Sequence, residues 1–172
     1  KCDWSSDVCS SDLVIVNLSA SNVTIGKDNY RSELVANQSG RCIAAYLYAA
    51  AGYGESTTDL AWDGHAMIYE NGQALAQSRR YSYKSQLVTA DIDLDRIAQD
   101  RMRQNSFAQA IERHRGEVSA FRLVEFRLNA PVQLAMPLER VYERFPYVPA
   151  NPATRDERCR EVYDIQVQGL VN

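Results

Sequence analysis

Long apolar runs are missing from this sequence. No stretch of about 18 or more uncharged apolar residues occurs, the length a membrane-crossing helix needs, so no span is expected. An excess of positive charge is missing too: 19 Lys and Arg against 22 Asp and Glu leave a formal net charge of −3. Phosphate backbones demand a concentrated basic surface, so nucleic acid is not expected as a partner. Arg79-Arg80 is the short basic cluster of note, and a solvated loop accounts for it. Histidine is scarce: His65 opens an apolar run and His114 closes a charged one, and neither has a partner at metal-ligand spacing. The four cysteines, Cys2, Cys9, Cys42 and Cys159, lack the paired spacing of a zinc site, so no metal site is expected. Proline is missing before position 131, and all five prolines fall between 131 and 152.

What is there is one domain's worth of chain, 172 residues at 45% hydrophobic and 24% charged, enough to bury a core. Cys2 and Cys9, with the triplets at Asn17, Asn22 and Asn37, would suit a secreted glycoprotein. No secretory leader precedes them, and the expectation is a cytoplasmic protein.

Residues 1–13 (KCDWSSDVCSSDL) carry one Trp, one Val and one Leu among serines and aspartates, with no apolar period. From Asp3 to Leu13 the string matches, codon by codon, a translated sequencing-library adapter. It reads as a scar to be set aside from fold reasoning, and Cys9, the most conspicuous candidate nucleophile, goes with it.

Val14-Ile15-Val16 then predicts a buried strand delivering a loop of small polar residues. Gly26 marks a turn, Asp28 stands as the N-cap, and a helix is predicted over 29–41, with Leu34 and Val35 inward and Arg31 and Glu33 outward. Gly40 is the predicted helix stop, and residues 42–48 the next strand. Glu70-Asn71-Gly72 between apolar stretches predicts a hairpin. Strands over 86–92 and 121–128 and a helix over 94–114 complete this part. The proline-rich segment is a linker. Asn151-Pro152 opens a last helix with an apolar stripe of Cys159, Val162, Tyr163, Val167 and Leu170. The chain stops where that stripe should dock, which suggests a second domain beyond it.

Most chemistry-bearing residues have bland readings. Cys42 and Cys159 read as small apolar core residues. Asp91-Ile92-Asp93-Leu94-Asp95 begins like a calcium loop, but Arg96 stands where that loop needs Gly, and helix capping is the better account. Gly52-Tyr53-Gly54 lacks the third Gly and the context of a dinucleotide fingerprint. Two features rise above these. Ser19, Ser21 and Thr24 lie where a strand opens into a loop, followed by Lys27; hydroxyls beside one cation could hold an amino acid, or could simply cap their own backbone. The loop of residues 55–59, with Trp62 and Asp63, is a candidate pocket wall.

Residues 17–27 (NLSASNVTIGK), 54–64 (GESTTDLAWDG), 69–72 (YENG), 90–94 (ADIDL), 144–149 (RFPYVP) and 163–170 (YDIQVQGL) run in one order across the chain. In this the sequence resembles the glutamine-dependent NAD synthetases, specifically their nitrilase-like glutaminase domain and the hinge after it. The resemblance implies an α/β fold, the second half of a nitrilase-like α-β-β-α sandwich over residues 14–130. It implies a linker over 131–151, and the first helix of a synthetase domain over 152–172. It implies that Ser21 and Lys27 contact the glutamine substrate. The family's Cys nucleophile, Glu base and Lys would precede Val14, so no catalytic residue is expected here and the chain alone should be inactive. ATP, Mg²⁺ and deamido-NAD would belong to the intact enzyme's other domain, with no cofactor bound by these residues, and the intact enzyme would be a homo-oligomer. A stand-alone nitrilase-type amidase and a non-catalytic module on the same scaffold are the competing expectations.

Overall fold

The computed structural model describes residues 12–127, 138–140, 142 and 151–171. Contacts divide the chain into two compact units, Lys1–Pro137 and Leu138–Asn172.

In the first unit, strand β1 (Val14–Ser19) leads into helix α1 (Lys27–Cys42) and then strand β2 (Ala45–Ala50). β1 and β2 pair in parallel, from Val14 opposite Ala45 to Ser19 opposite Ala50. Parallel neighbours cannot be joined by a tight turn, and α1 is the crossover that joins them. Strand β3 (Ala66–Glu70) runs antiparallel to β2, and β4 (Gln73–Gln77) antiparallel to β3, giving the order β1-β2-β3-β4. The architecture is a mixed α/β one.

The predicted hairpin is present. Asn71 (φ 47°) and Gly72 (φ 82°) fill both left-handed positions of a two-residue turn, the geometry whose twist matches the flanking strands. That turn is packed against α1. Gly40 lies against Gly72: a Cβ on Gly40 would sit 3.7 Å from the Gly72 Cα, an ordinary contact distance. Beside them the fully buried Ser39 hydroxyl donates to the Ala44 carbonyl at 2.7 Å and accepts from the Gly72 amide at 3.1 Å.

The helix runs past Gly40, which corrects the expectation that Gly40 stops it. Gly40 serves contact; α1 continues to Cys42 and ends with Ile43 in the left-handed region (φ 44°). The N-cap also differs: Gly26 (φ 76°) holds that position, and Asp28 lies within the first turn, free to pair elsewhere. The inward stripe of α1 is Arg31, Val35, Ser39 and Cys42, a proper helical period in which two members are polar. Arg31 was predicted outward and Leu34 inward; Arg31 is buried and Leu34 about half exposed at 51%. The reason is a carboxylate 32 positions away, described below. Glu33 is exposed as expected.

Between α1 and the sheet lies the core: Val35 from the helix, Tyr46 and Tyr48 from β2, Met67 and Tyr69 from β3. Strand alternation puts these tyrosines on one face of the sheet. On its other face Val16 and Leu18 of β1 are exposed, at 64% and 83%. Helix α2 (Leu94–Met102) is capped by Asp93, whose carboxylate accepts from the Arg96 amide, which bears out the capping reading of the aspartate cluster. Glu70 accepts from the Asp93 amide at 2.9 Å, and Arg101 donates to the carbonyls of Ile43 and Asp12, tying α2 to the sheet.

Three predicted elements differ. The helix over 94–114 is two, α2 and α3 (Asn105–Arg113), broken where Gln104 turns extended (φ −99°, ψ 101°). A short helix, α4 (Arg115–Val118), follows. Residues 86–92 form no strand, and neither do residues 121–127, the described part of the other predicted strand. Phe121, Leu123, Val124 and Phe126 are all exposed, so among the described residues alternation here finds neither a ladder partner nor a face to bury.

In the second unit helix α5 (Pro152–Val171) is capped by Asn151, whose side-chain oxygen accepts from the Ala153 amide at 3.0 Å. Pro152 occupies the first helical position, as predicted. Val162, Tyr163, Val167 and Leu170 are exposed, and so is Cys159, which corrects its reading as a core residue. Most of the proline-rich segment lies outside the described residues, as do Cys2 and Cys9. Among the described residues no helix is long and apolar enough to cross a membrane.

Candidate functional site

Where β1 and β2 end side by side, a cavity of about 290 Å³ opens between the sheet and α1. Its floor is laid by strand alternation: Asn17 and Ser19 from β1, Tyr46 and Tyr48 from β2. Its wall comes from α1, with Tyr30, Arg31, Leu34 and Gln38 at helical spacing. Ser21, in the loop after β1, and Lys27, at the first turn of α1, complete it. The two residues singled out from sequence thus line one cavity. Ser19 joins them, while Thr24 does not; its carbonyl instead accepts from the Lys27 amide.

Each group in the cavity has a defined state. Lys27 Nζ donates to Asn22 Oδ1 at 2.9 Å, which fixes its ammonium within the loop. Asn17 Nδ2 donates to the Tyr46 hydroxyl at 2.8 Å. Burial pushes the Tyr46 phenol up more than that hydrogen bond pulls it down, so the ring is neutral at ordinary pH. Arg31 lies over the Tyr48 ring at 5.9 Å. The Tyr48 hydroxyl and Arg31 Nε are buried without a protein hydrogen-bond partner. Both atoms are sealed from solvent behind the cavity lining, where buried polar atoms are ordinarily satisfied.

Behind the cavity is a charge cluster. Arg31 Nη1 reaches both oxygens of Asp63, at 2.8 and 3.0 Å, with the carboxylate fully buried. Arg80 Nε donates to Asp63 Oδ2 at 3.0 Å, and the His65 amide donates to Asp63 Oδ1 at 3.3 Å. Burial alone would raise the Asp63 pKa; the hydrogen bonds from Arg31 and Arg80 outweigh it and hold the carboxyl below its usual range. Burial pushes His65 down, keeping its imidazole neutral. Arg80 also meets Asp28 at 2.7 Å. The Arg31 Nη2 donates to the Ser21 carbonyl at 3.4 Å, which joins the cluster to the cavity loop.

Residues 55–59 do not line this cavity. That loop closes on itself through Trp62 Nε1, which donates to the Ser56 carbonyl at 2.6 Å, and only Asp63 beyond it reaches the site, from behind. Cys42 is buried as expected, its thiol pushed up by burial. Asn17, Tyr46, Tyr48 and Arg31 are the site residues that sequence reasoning missed. Polar Asn17 and Ser19 at strand period within an apolar β1 were the signal available. Among the described residues no group of three or more His, Cys, Asp or Glu is arranged to hold a metal ion.

A mixed sheet, one crossover helix and a cavity at the carboxyl ends of a parallel strand pair define an α/β domain with a pocket where such folds commonly place a ligand. No known family profile matches the chain. It is 49% identical over 157 residues to the glutamine-dependent NAD(+) synthetase of Mycobacterium leprae, covering 91% of this chain. The synthetase of Mycobacterium tuberculosis H37Rv is 46% identical over the same length, and that of Saccharomyces cerevisiae 32% over 129 residues, 74% of this chain. A solved glutamine-dependent NAD(+) synthetase from Cytophaga hutchinsonii aligns at 30% identity and a TM-score of 0.40, covering 42% of this chain and 12% of that one. The chain belongs to the glutamine-dependent NAD(+) synthetase family. It spans 23% of the length of its mycobacterial relatives.

Proposed function

We propose that this chain supplies the glutamine-holding wall of a synthetase that hydrolyses glutamine to ammonia and uses that ammonia, with ATP, to amidate deamido-NAD to NAD. The observation that carries the reading is the meeting of Ser21 and Lys27 in one cavity of amino-acid size, beside neutral Asn17 and Tyr46. The Lys27 ammonium would pair with the ligand's α-carboxylate, and Ser21 would meet its polar groups. Residues 14–130 would then be the second half of a nitrilase-like sandwich, 131–151 a hinge, and α5 the first helix of the synthetase domain, docked there through its apolar stripe. ATP and Mg²⁺ would act in that domain of a cytoplasmic homo-oligomer.

Holding and cleaving are separate tasks in this reading. Amide hydrolysis through a thioester needs a thiolate and a base within hydrogen-bond reach. The described cavity is lined by no thiol and no carboxylate, and the buried Cys42 thiol is protonated. The chain alone is therefore proposed to bind glutamine without releasing ammonia.

Calorimetric titration with L-glutamine tests this. The chain should bind glutamine, and Lys27→Met, which keeps length but not charge, should weaken binding by about tenfold or more, the worth of one charge-assisted hydrogen bond. Equal affinity in the variant, or ammonia release by the pure chain, refutes the proposal.

A further inference from the structure

Arg80 lies outside the cavity, yet through its partners it is linked to both ends of the loop between Ser21 and Lys27, two of the cavity's lining residues. Its Nε donates to Asp63 at 3.0 Å and its Nη1 meets Asp28 at 2.7 Å, while Nη2 donates to the Tyr81 hydroxyl at 3.0 Å. Asp63 holds Arg31, and Arg31 donates to the Ser21 carbonyl, so one arm ends at the start of the loop. Asp28 adjoins Lys27 in the first turn of α1, so the other arm ends at the loop's far side. Between these points the loop has three further ties, the Val23 amide to the Ala61 carbonyl, the Lys27 amide to the Thr24 carbonyl and Lys27 Nζ to Asn22.

We propose that Arg80 is a positioning residue for glutamine binding, a brace that sets the spacing between Ser21 and Lys27. The inference rests on the glutamine reading above. Two carboxylates at different heights need a planar, forked cation with several fixed donors. A lysine ammonium is a single point and cannot span them in the same way. A solvated surface arginine is the ordinary alternative, but this side chain is only 23% exposed and all three of its nitrogens are engaged.

The test uses the isotope-labelled full chain titrated with L-glutamine and followed by NMR, with thermal melts alongside. Arg80→Ala should bind glutamine about tenfold more weakly while remaining folded, because Arg31 still pairs with the buried Asp63. Its ligand-free amide signals should shift at both Ser21 and Lys27, and Arg80→Lys should recover part of the affinity. Arg80→Ala combined with Asp28→Asn should lose less than the two single losses added, because both cut the same arm. If the parent binds and Arg80→Ala binds equally well, the brace is refuted and the glutamine reading survives. Affinity that falls only in step with the melting midpoint, or shifts missing from either Ser21 or Lys27, also refutes it. A parent chain that binds no glutamine overturns the underlying reading and the brace together.

Discussion

Replacing Asp63 with asparagine keeps the shape of the side chain and removes its charge. In the native protein that charge is fully buried and receives two guanidinium groups and one backbone amide. Taking it away leaves Arg31, itself 4% exposed, as a buried cation facing a neutral amide whose NH₂ group offers donors where acceptors are needed. Breaking a buried pair on one side costs about 3–5 kcal/mol, a large share of the roughly 5–15 kcal/mol that holds a domain folded. Urea unfolding should therefore show a much lower midpoint for Asp63→Asn with an unchanged slope. The double variant Asp63→Asn with Arg31→Met should regain most of the loss, since removing both charges leaves nothing uncompensated. Acid adds an independent check. The folded-state pKa of Asp63 is depressed, so its stabilisation is fully present above the unfolded value of about 3.9 and is lost as pH falls through the folded one. The parent should lose stability steeply below about pH 4, and Asp63→Asn should lose that component of the slope. A cost below about 1 kcal/mol would show that the buried cluster does not carry α1, and the account of why Arg31 points inward would fail.

Other outcomes follow from single contacts. Gly72→Ala should destabilise by about 1–2 kcal/mol in the same urea assay, because φ is 82° there, a backbone conformation that a side chain with a Cβ strains to adopt. An unchanged midpoint would mean that the hairpin turn is not in its left-handed form. Peptide-resolved thiol labelling of the native chain should modify exposed Cys159 promptly and buried Cys42 only at the rate of opening. Equal rates would contradict the burial of the α1 stripe.

The parts legible in the sequence were those governed by neighbours in the chain. Asn71-Gly72 dictates its turn locally, and Asn151-Pro152 opens its helix by the same kind of short-range chemistry. Arg31 was misplaced because an apolar period counts only apolar residues, and what turns this arginine inward is a carboxylate brought near by folding. Gly40 was taken for a stop signal because its partner Gly72 is equally distant in sequence. The alternating residues from Phe121 to Phe126 carry a strand's pattern, and among the described residues no neighbouring strand pairs with them. Ser21 and Lys27 were found through a motif. Asn17, Tyr46 and Tyr48 were hidden because each sits in a run that otherwise describes a buried strand.

The seat of α1 on the hairpin turn has a mechanical consequence. Its C-terminal half is bolted down by Ser39 and the two touching glycines, and its N-terminal half by Arg31 and Asp28. A rod fastened near both ends cannot swing like a door. A ligand entering the space beneath it must thread past side chains at the mouth, and enlarging that space by engineering calls for trimming residues such as Leu34 rather than for loosening the rod.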